Sequence, residues 1–521
     1  MKQLPLGIQS IEKLLSKDCV YVDKTLLIYK LITETENYFL SRPRRFGKSL
    51  LVSTLKAIFS GNKELFKDCQ IYSTDYQWQK HPVIYLDFTQ FSTESPKELE
   101  EDLRQELILI AKSYGKSIGS PRSAQAGLRS LVKELSTDNK VVILVDEYDK
   151  PLIDNLEQMS LAKANRKLLR NFFGTLKGLD DHLKLVFVTG VSKFSQVSLF
   201  SGINHLEDIT TDPNYATLLG YTEEEITFFF KEHLAEIAKK RQTTPQKIID
   251  LMRYWYNGYG FSREKASVYN PFSVLLFLKN GELNNYWFQT ATPTFLIDQI
   301  KKQTYPIDQI SEIQVGDTIF NSYDLEKINL IPLMWQTGYL TIKSYDPAKR
   351  LYCLDYPNQE VKVSFLEYLA EGITNMPMPQ ATGCARECAE SLHHENLEEF
   401  FAKLKMFFSD IPYDMHISKE KYYQTVFYVI AKLIGLHAQL EVKTNIGRID
   451  MVITTDKLVY IFEFKIDSSA EEALDQINNK KYFEKYLDQK KKLILVGVNF
   501  DTKERNITGW KSTSCGTKNF T

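Results

Sequence analysis

The sequence lacks any hydrophobic run long enough to cross a membrane. Its longest apolar runs, such as residues 141–145, are far shorter than the roughly 20 residues that a membrane-spanning helix needs. The first residues also lack the apolar core of a signal peptide. We therefore expect a cytoplasmic protein that has no membrane partner.

Cysteine is scarce and scattered, with six residues at positions 19, 69, 353, 384, 388 and 515. This distribution is neither that of a disulfide scaffold nor the paired spacing of a zinc knuckle. Cys384 and Cys388 could share a helical face, but the sequence does not offer two further Cys or His ligands at suitable spacing. We expect reduced thiols and no zinc site.

Net charge is almost absent as well. Lys and Arg number 65 against 66 Asp and Glu, so no overall positive field draws the protein onto nucleic acid. Any such binding must rest on a local basic surface. Internal repeats and low-complexity tracts are also lacking. With 521 residues the chain exceeds what one hydrophobic core usually organises, so we expect several domains.

Apolar, strand-like runs alternate with helical stretches in the first 200 residues or so. Each run is nearly continuous in apolar character, as expected for strands that are covered on both faces. This alternation predicts a parallel α/β sheet. The predicted strands are 38–41, 83–88, 141–146 and 185–189.

Helical periodicity dominates residues 222–256, where Thr222 and Glu225 form a candidate capping box. Residues 257–395 are rich in aromatic residues and turns, and the polar segment 374–395 is the predicted linker. From residue 396 onward we predict a separate α/β unit. Its helices are 396–408, 419–435 and 469–486, and its strands are 449–454, 459–465 and 493–500.

A candidate phosphate-binding loop follows the first strand. It reads Arg42-Pro43-Arg44-Arg45-Phe46-Gly47-Lys48-Ser49 and leads into an amphipathic helix. Backbone amides at a helix N-terminus bind phosphate, while the lysine reaches the terminal phosphates and the serine ligates magnesium. The usual pattern has a glycine where Arg42 stands, so the Gly-Lys-Ser tripeptide alone also fits a basic surface turn. The predicted nucleotide-binding residues here are Arg44, Arg45, Phe46, Gly47, Lys48, Ser49 and Leu50.

Two acidic residues support the nucleotide-binding interpretation. Asp146 and Glu147 end the strand at 141–145, and ligands of parallel sheets lie at the carboxyl ends of the strands. Asp146 is expected to hold magnesium and Glu147 to orient the attacking water. A solvated acidic turn is the alternative, but it does not explain why the loop and the acidic pair occur in the correct order.

A further strand ends at Thr189, and Ser192 follows shortly after it. In additional-strand ATPases, the strand beside the acidic one ends in a polar residue that senses the γ-phosphate. We predict this role for Thr189 or Ser192. The alternative is a hydroxyl that bonds the backbone of its own loop.

Charged residues interrupt two apolar strands in the C-terminal part of the chain. If residues 456–457 form a two-residue hairpin turn, the register places Asp450 directly opposite Glu463, with Cβ atoms about 5 Å apart. Two such carboxylates repel each other unless they share a cation. Lys465 lies on the same face, where it is expected to position or deprotonate the attacking water or to stabilise a pentavalent phosphate. The pattern favours a metal site over a solvated face on an edge hairpin.

Three nearby residues support this site more weakly. Gln476 and Lys480 share one face of the following helix, and Arg448 precedes the acidic strand. Each is a candidate phosphate contact, and each also fits a plain surface position.

Together these residues resemble bacterial AAA-ATPase-like proteins that carry a C-terminal PD-(D/E)XK nuclease-like domain. The resemblance covers nearly the whole chain, and family members also carry an arginine-rich loop where the first glycine is expected. Besides the two candidate sites, it rests on Asp23-Lys24, Asp146-Glu147-Tyr148-Asp149-Lys150-Pro151, Ser198-Leu199-Phe200-Ser201-Gly202, Tyr256-Asn257-Gly258-Tyr259, Tyr269-Asn270-Pro271-Phe272-Ser273, Gly447-Arg448-Ile449-Asp450 and Phe462-Glu463-Phe464-Lys465.

The resemblance implies an α/β protein in four parts. These are an AAA-type P-loop ATPase core at 1–215, a helical lid at 216–280, a connecting domain and linker at 281–395, and a restriction-endonuclease-like domain at 396–521. It also implies that Asp450, Glu463 and Lys465 form the nuclease-like core. Many such nucleases take another acidic residue from the preceding helix, and Glu420 is the candidate here.

ATP and Mg²⁺ are the implied cofactors, with Mn²⁺ as an alternative at the nuclease-like site. We expect an ATPase coupled to a metal-dependent phosphodiesterase that acts on DNA. A homo-oligomer is a further expectation, because ATPases of this class use an arginine from a neighbouring subunit. Two other readings stay open. One is a signalling or scaffold ATPase whose C-terminal domain only binds nucleic acid or protein, and the other is a small-molecule kinase, which leaves the C-terminal charged residues without a task.

Overall fold

The computed structural model describes two compact units. One comprises Met1–Ala291 with Glu312–Val361, and the other comprises Thr292–Ser311 with Lys362–Thr521. The described residues are 1–34, 37–193, 199–200, 206–290, 294–303, 310, 312–320, 329–374, 377–409, 427–429, 431, 437–444, 447–489 and 491–515. Over these ranges no helix is both long enough and apolar enough to span a bilayer.

Helices and strands alternate along much of the chain. In chain order the α-helices are α1 (Ile11–Ser16), α2 (Thr25–Glu34), α3 (Lys48–Phe59), α4 (Pro96–Ser113), α5 (Ala124–Leu135), α6 (Lys150–Ile153), α7 (Met159–Gly174), α8 (Glu223–Phe229), α9 (Lys231–Lys240), α10 (Pro245–Tyr256), α11 (Pro271–Asn280), α12 (Thr294–Gln303), α13 (Leu330–Thr337), α14 (Gln359–Thr374), α15 (Met378–His393), α16 (Leu397–Ser409) and α17 (Ala470–Asn479). The strands are β1 (Asn37–Ser41), β2 (Val83–Asp87), β3 (Val141–Asp146), β4 (Leu183–Gly190), β5 (Glu207–Asp208), β6 (Tyr259–Gly260), β7 (Ser267–Val268), β8 (Ile313–Val315), β9 (Thr341–Asp346), β10 (Leu351–Asp355), β11 (His437–Lys443), β12 (Arg448–Thr454), β13 (Leu458–Ile466), β14 (Lys492–Asp501) and β15 (Asn506–Cys515).

A parallel five-stranded sheet organises the first unit, in the order β2-β3-β4-β1-β5. The predicted parallel α/β sheet is therefore confirmed. All six residues of β3 are buried, because strands in such a sheet are covered on both faces. β4 lies between β1, which precedes the arginine-rich loop, and β3, which ends in the acidic pair. The carboxyl ends of these three strands meet at one edge of the sheet.

Helices α8 to α10 form the helical segment, which spans residues 223–256 and confirms the predicted helical periodicity. The side chain of Thr222 accepts from the amide of Glu225, whose carboxylate accepts in return from the Thr222 amide, so the predicted capping box is present. The apolar faces of the three helices pack with Val20, Val22 and α11 into one hydrophobic cluster. A three-stranded antiparallel sheet in the order β8-β10-β9 follows within the same unit.

A five-stranded sheet in the order β11-β12-β13-β14-β15 organises the second unit. β13 and β14 are parallel and the other neighbours are antiparallel. Neither of the edge strands β11 and β15 was predicted. β15 alternates polar and apolar residues only weakly, whereas β11 alternates at every position, a strand signal that sequence reasoning missed. α17 packs against β13 and β14.

Two predictions for this unit are wrong. The segment 374–395 is not a linker, because it contains the amphipathic helix α15, whose Ala381, Ala385 and Cys388 are buried. The helix predicted at 469–486 ends at Asn479, because the backbone turns at Lys481, which has a φ of 44°. A separate 3₁₀-helix, Tyr482–Gln489, follows. Most of the helix predicted at 419–435 lies outside the described residues.

Candidate functional site

The arginine-rich loop turns into α3 through a glycine. Gly47 has a φ of 93°, which favours glycine, and a Cβ built there meets nothing within 4 Å. Space is therefore open beside the first turn of α3, where exposed amides point outward. The buried ammonium of Lys48 donates to the carbonyl oxygens of Arg42 at 3.0 Å and Pro43 at 3.1 Å. Two carbonyl groups of the loop thus hold the Lys48 ammonium in place.

Ser49 and Asp146 lie close together at the sheet edge, where the Ser49 hydroxyl is near enough to the Asp146 carboxylate to lower its pKa. Burial raises the pKa of Asp146 to about 6, while Ser49 and the Lys48 charge oppose that shift. Glu147 follows with a φ of 49°, an uncommon value for a residue with a side chain. The sequence predicted Ser49 and Asp146 as joint magnesium ligands, and the structure brings them together.

The other predicted loop residues divide into exposed and buried groups. Arg44 and Arg45 are exposed, and the Arg45 guanidinium lies 5.0 Å from the centre of the Phe272 ring. Phe46 is buried, and its ring packs edge-on against Tyr259 and Phe261. Leu50 is half-buried, and its carbonyl accepts from Thr54 within α3. The Phe46 ring therefore anchors the loop.

Thr189 and Ser192, the two candidate γ-phosphate sensors, differ in their environment. Thr189 is fully buried, and its hydroxyl has no hydrogen-bond partner within the described part of the chain. The Ser192 hydroxyl instead donates to the Asp149 carboxylate at 2.7 Å, which also accepts from the amides of Val191 and Ser192. Asp149 therefore fastens the loop after β4 to the acidic turn.

Sequence reasoning did not single out Asp149 as a site residue. Its carboxylate is 1% exposed, and burial raises its pKa, although the bonds from Ser192 act in the opposite direction. Its partners are more than forty positions away, so no local pattern identifies them. Proximity to the acidic pair is the one signal that the sequence contains.

The C-terminal hairpin has the predicted register over residues 451–454, and the ladder ends one pair before Asp450 and Glu463. Thr454 pairs with Val459 and Met451 with Phe462, on either side of the two-residue turn at 456–457. One position further, the Asp450 carboxylate accepts from the amide of Phe464 at 2.7 Å. Asp450 thus lies beside Glu463 where the two strands begin to separate.

Gln476 connects two of the predicted site residues. Its amide nitrogen donates to the Glu463 carboxylate, and its amide oxygen accepts from the Lys465 ammonium at 2.7 Å. Glu463, Lys465 and Gln476 therefore share one face, as the sequence predicted for the first two. The sequence left Gln476 as either a phosphate contact or a plain surface position. In the structure, Gln476 contacts Glu463 and Lys465 directly.

Glu463 is 2% exposed, and its Oε2 atom has no hydrogen-bond partner in the described ranges. Burial and the neighbouring Asp450 charge raise its pKa to about 8, against the effect of Lys465. An orphaned carboxylate oxygen beside a second carboxylate fits a divalent cation, because the cation removes the repulsion and supplies the missing partner. The residues present therefore fit a metal ion.

The remaining candidates surround this group unevenly. Lys480 is half-buried and its charge acts on Glu463, whereas Arg448 is exposed at the start of β12. Glu420 lies outside the described residues. Among the residues that are described, no cluster of three or more His, Cys, Asp or Glu side chains could hold a metal ion, so Asp450 and Glu463 form a pair without a third such ligand there.

Gly497 brings α17 over the site, although sequence reasoning did not select it. Gly497 lies in β14 and pairs with Glu463 of the neighbouring strand β13, and a Cβ at Gly497 would stand 2.2 Å from the Ala470 carbonyl oxygen. Only glycine therefore lets α17 approach closely enough for Gln476 to reach Glu463. A glycine inside an apolar strand is a recognised sign of such an approach.

Comparison with known proteins gives one family match for each of the two candidate sites. Residues 5–200 match the family model described as predicted AAA-ATPase, and residues 418–510 match that of the PD-(D/E)XK nuclease superfamily. The chain is also 36% identical over 533 aligned positions to an uncharacterized protein in the vnfD 5' region of Azotobacter chroococcum mcd 1, covering 99% of each chain. The chain belongs to the AAA-ATPase-like family with a C-terminal PD-(D/E)XK nuclease domain.

The predicted family and fold class are thereby confirmed, and the chain has an ATPase-plus-nuclease-like arrangement. The AAA-ATPase-like match contains the arginine-rich loop, the acidic pair and Thr189, and it ends before the helical segment. The PD-(D/E)XK match contains Asp450, Glu463 and Gln476. Each candidate site therefore lies inside the family domain whose chemistry it fits.

Proposed function

We propose that the first unit binds ATP with Mg²⁺ and hydrolyses it. Lys48 and the amides at the start of α3 bind the phosphates, and Ser49 and Asp146 hold the cation. Glu147 orients the attacking water. The proximity of Ser49 to Asp146 supports these assignments, because one cation could then reach both side chains.

Thr189 is the proposed contact to the γ-phosphate. Its strand lies between those that end in the phosphate loop and the acidic pair, and its hydroxyl is buried without a partner over the described residues. A buried hydroxyl without a partner is costly, so an incoming phosphate oxygen supplies a bond that the protein lacks. Ser192 instead holds the loop, because its hydroxyl is engaged with Asp149.

For the second unit we propose metal-dependent hydrolysis of phosphodiester bonds in DNA. Asp450 and Glu463 hold Mg²⁺ or Mn²⁺, and Lys465 orients the attacking water or stabilises the charge that develops on the phosphate. A bound divalent cation acts here as a Lewis acid that also lowers the pKa of water. Gln476 maintains the positions of Glu463 and Lys465 by bonding both.

The observation that carries this proposal is the convergence of Asp450, Glu463 and Lys465, with Gln476 bonded to the last two. A scaffold domain that only binds a partner has no need of a buried carboxylate, because burying an unpaired charge is costly. We further propose that the nucleotide state of the first unit controls cleavage, and that a homo-oligomer supplies an arginine to each ATP site.

A nuclease assay tests the proposal. Wild-type protein is incubated with linear, circular and single-stranded DNA in Mg²⁺ or Mn²⁺, with and without ATP. We expect ATP-dependent cleavage that Glu463→Gln and Lys465→Ala abolish and that Lys48→Ala strongly reduces. Lys457→Ala, in the exposed hairpin turn, is the matched control and should cleave normally. Failure of the wild type to cut any DNA form, or unchanged cutting by Glu463→Gln, rejects the nuclease assignment.

A further inference from the structure

Arg42 occupies the loop position where a glycine is usual, and its side chain points away from the open space beside α3. It is 1% exposed, and its guanidinium donates to the carbonyl oxygens of Ser41 at 2.9 Å, Thr210 at 2.7 Å and Tyr215 at 3.3 Å. The guanidinium carbon also lies 4.1 Å from the centre of the Phe261 ring. Arg42 is therefore a buried side chain that holds backbone, and not a phosphate ligand.

The groups that Arg42 holds flank the helical segment on both sides. Thr210 and Tyr215 belong to the stretch that leads into α8, and Phe261 follows α10. A second cation links the same stretch to the segment, because Lys24 donates to the Thr217 carbonyl and to Glu225 in α8. A shift of Arg42 therefore acts on both ends of the helical segment.

The backbone of Arg42 is equally connected to the phosphate site. Its amide donates to the Gly190 carbonyl at the end of β4, and its carbonyl accepts from Lys48 at 3.0 Å. A phosphate that draws the Lys48 ammonium away removes that bond from the Arg42 carbonyl. One residue thus joins the phosphate-binding lysine to the ends of the helical segment.

We propose that Arg42 is a positioning residue that couples nucleotide binding to the conformation of the helical segment, residues 223–256. The inference rests on the proposed binding of ATP. When Lys48 turns from the loop carbonyls to the phosphates, the loop backbone at Arg42 adjusts, and the guanidinium transmits this adjustment to Thr210, Tyr215 and Phe261. The helical segment then closes or tightens in response to nucleotide.

The coupling requires the planar guanidinium group, which has several N–H donors. A planar guanidinium reaches several carbonyl oxygens at once while it stacks on a ring, whereas a lysine ammonium is a compact charge without that geometry. Arg42→Lys therefore retains the charge and loses the simultaneous contacts. Phe261→Leu removes the ring beneath the guanidinium but retains an apolar side chain.

Hydrogen exchange of the full-length protein, with and without a non-hydrolysable ATP analogue, tests the coupling. Affinity for the analogue is measured in parallel by calorimetry. In the wild type we expect the analogue to slow exchange in residues 223–256 by about fivefold or more, the lower end of common coupling between two sites. In the Arg42→Lys and Phe261→Leu variants, hydrogen exchange in residues 223–256 should be nearly the same with and without the bound analogue. Arg129→Lys, an exposed residue of α5, should behave as wild type.

The outcomes separate the inference from the proposed function. If both variants bind the analogue and protect the helical segment as the wild type does, Arg42 is not the coupling residue. If the wild type binds the analogue without any change in residues 223–256, the coupling itself is rejected while ATP binding stands. If the wild type does not bind the analogue, the proposed ATP site and the inference both fail.

Discussion

The side chain of Gln476 donates to Glu463, thirteen positions earlier in the chain, and so joins helix α17 to the buried carboxylate of strand β13. The same side chain accepts from Lys465, so the amide has one correct orientation. Residues that orient the ligands of a metal matter nearly as much as the ligands themselves. The pair therefore provides a direct test of the site.

Replacing Gln476 with alanine should reduce DNA cleavage by about 10- to 100-fold, the usual cost of losing a residue that orients metal ligands. The thermal midpoint should change little, because Gln476 is only half-buried. Initial cleavage rates and thermal unfolding measure the two effects. Asn478→Ala, an exposed position of the same helix, is the control. Equal cleavage by the two variants would show that the Gln476 contacts have no role in catalysis.

Replacing Thr189 with valine should lower the rate of ATP hydrolysis by about 10-fold or more, as expected when a phosphate contact is lost. Stability should be unchanged or higher, because the hydroxyl that is removed is buried and without a partner over the described residues. Ser192→Ala should instead destabilise the protein by about 1 to 2 kcal/mol, because it leaves Asp149 with one bond fewer. Steady-state kinetics of ATP hydrolysis and thermal unfolding distinguish the Thr189→Val and Ser192→Ala variants. A drop in stability for Thr189→Val would contradict its assignment.

Replacing Gly497 with alanine should force α17 away from the sheet. The new Cβ would stand 2.2 Å from the Ala470 carbonyl oxygen and 2.5 Å from the Leu474 nitrogen, and these backbone atoms cannot move separately from the helix. We expect the free energy of unfolding to fall by about 1 to 3 kcal/mol and DNA cleavage to be reduced. Gly509→Ala is the control, since its Cβ meets nothing closer than 3.9 Å. Chemical denaturation measures the loss, and a neutral Gly497→Ala would mean that α17 has more room than these distances allow.

Stability of the first unit should depend on pH through Glu360. Burial raises the pKa of this fully buried carboxyl group to about 8, although it accepts bonds from Ser273 and from the Trp287 amide. A folded-state pKa above the unfolded value means that the folded protein binds the proton more tightly. The stabilisation is therefore complete below the unfolded pKa of 4.5 and is lost as the pH rises through about 8.

Glu360→Gln removes this titration. Its thermal midpoint relative to wild type should rise between pH 5 and pH 8.5, by an amount that corresponds to a few kcal/mol, since each pKa unit is worth about 1.4 kcal/mol. The exposed Glu264→Gln serves as control and should follow the wild type at every pH. A constant difference between Glu360→Gln and wild type across this range would contradict the raised pKa.

The sequence predicted the main sheet and much of both sites. Strands such as β3 are recognisable because their apolar runs are continuous, and polar residues that end such strands must meet at one edge of a parallel sheet. That reasoning brought Ser49 and Asp146 together. Hairpin register is equally local, since the turn at 456–457 determines which residue faces Glu463. The predicted linker failed because a polar sequence with a buried stripe also forms a helix such as α15.

Sequence alone therefore determined the parallel sheet, the position of the arginine-rich loop before α3 and the acidic hairpin, because strand periodicity, helix starts and tight turns depend on neighbours along the chain. Tertiary structure decided what surrounds them. The contacts of Arg42 to Tyr215 and of Asp149 to Ser192 join residues that are far apart in sequence, and that of Gln476 to Glu463 joins a helix to a strand. No periodicity or spacing encodes such pairs, since they arise only when separate helices and strands pack together.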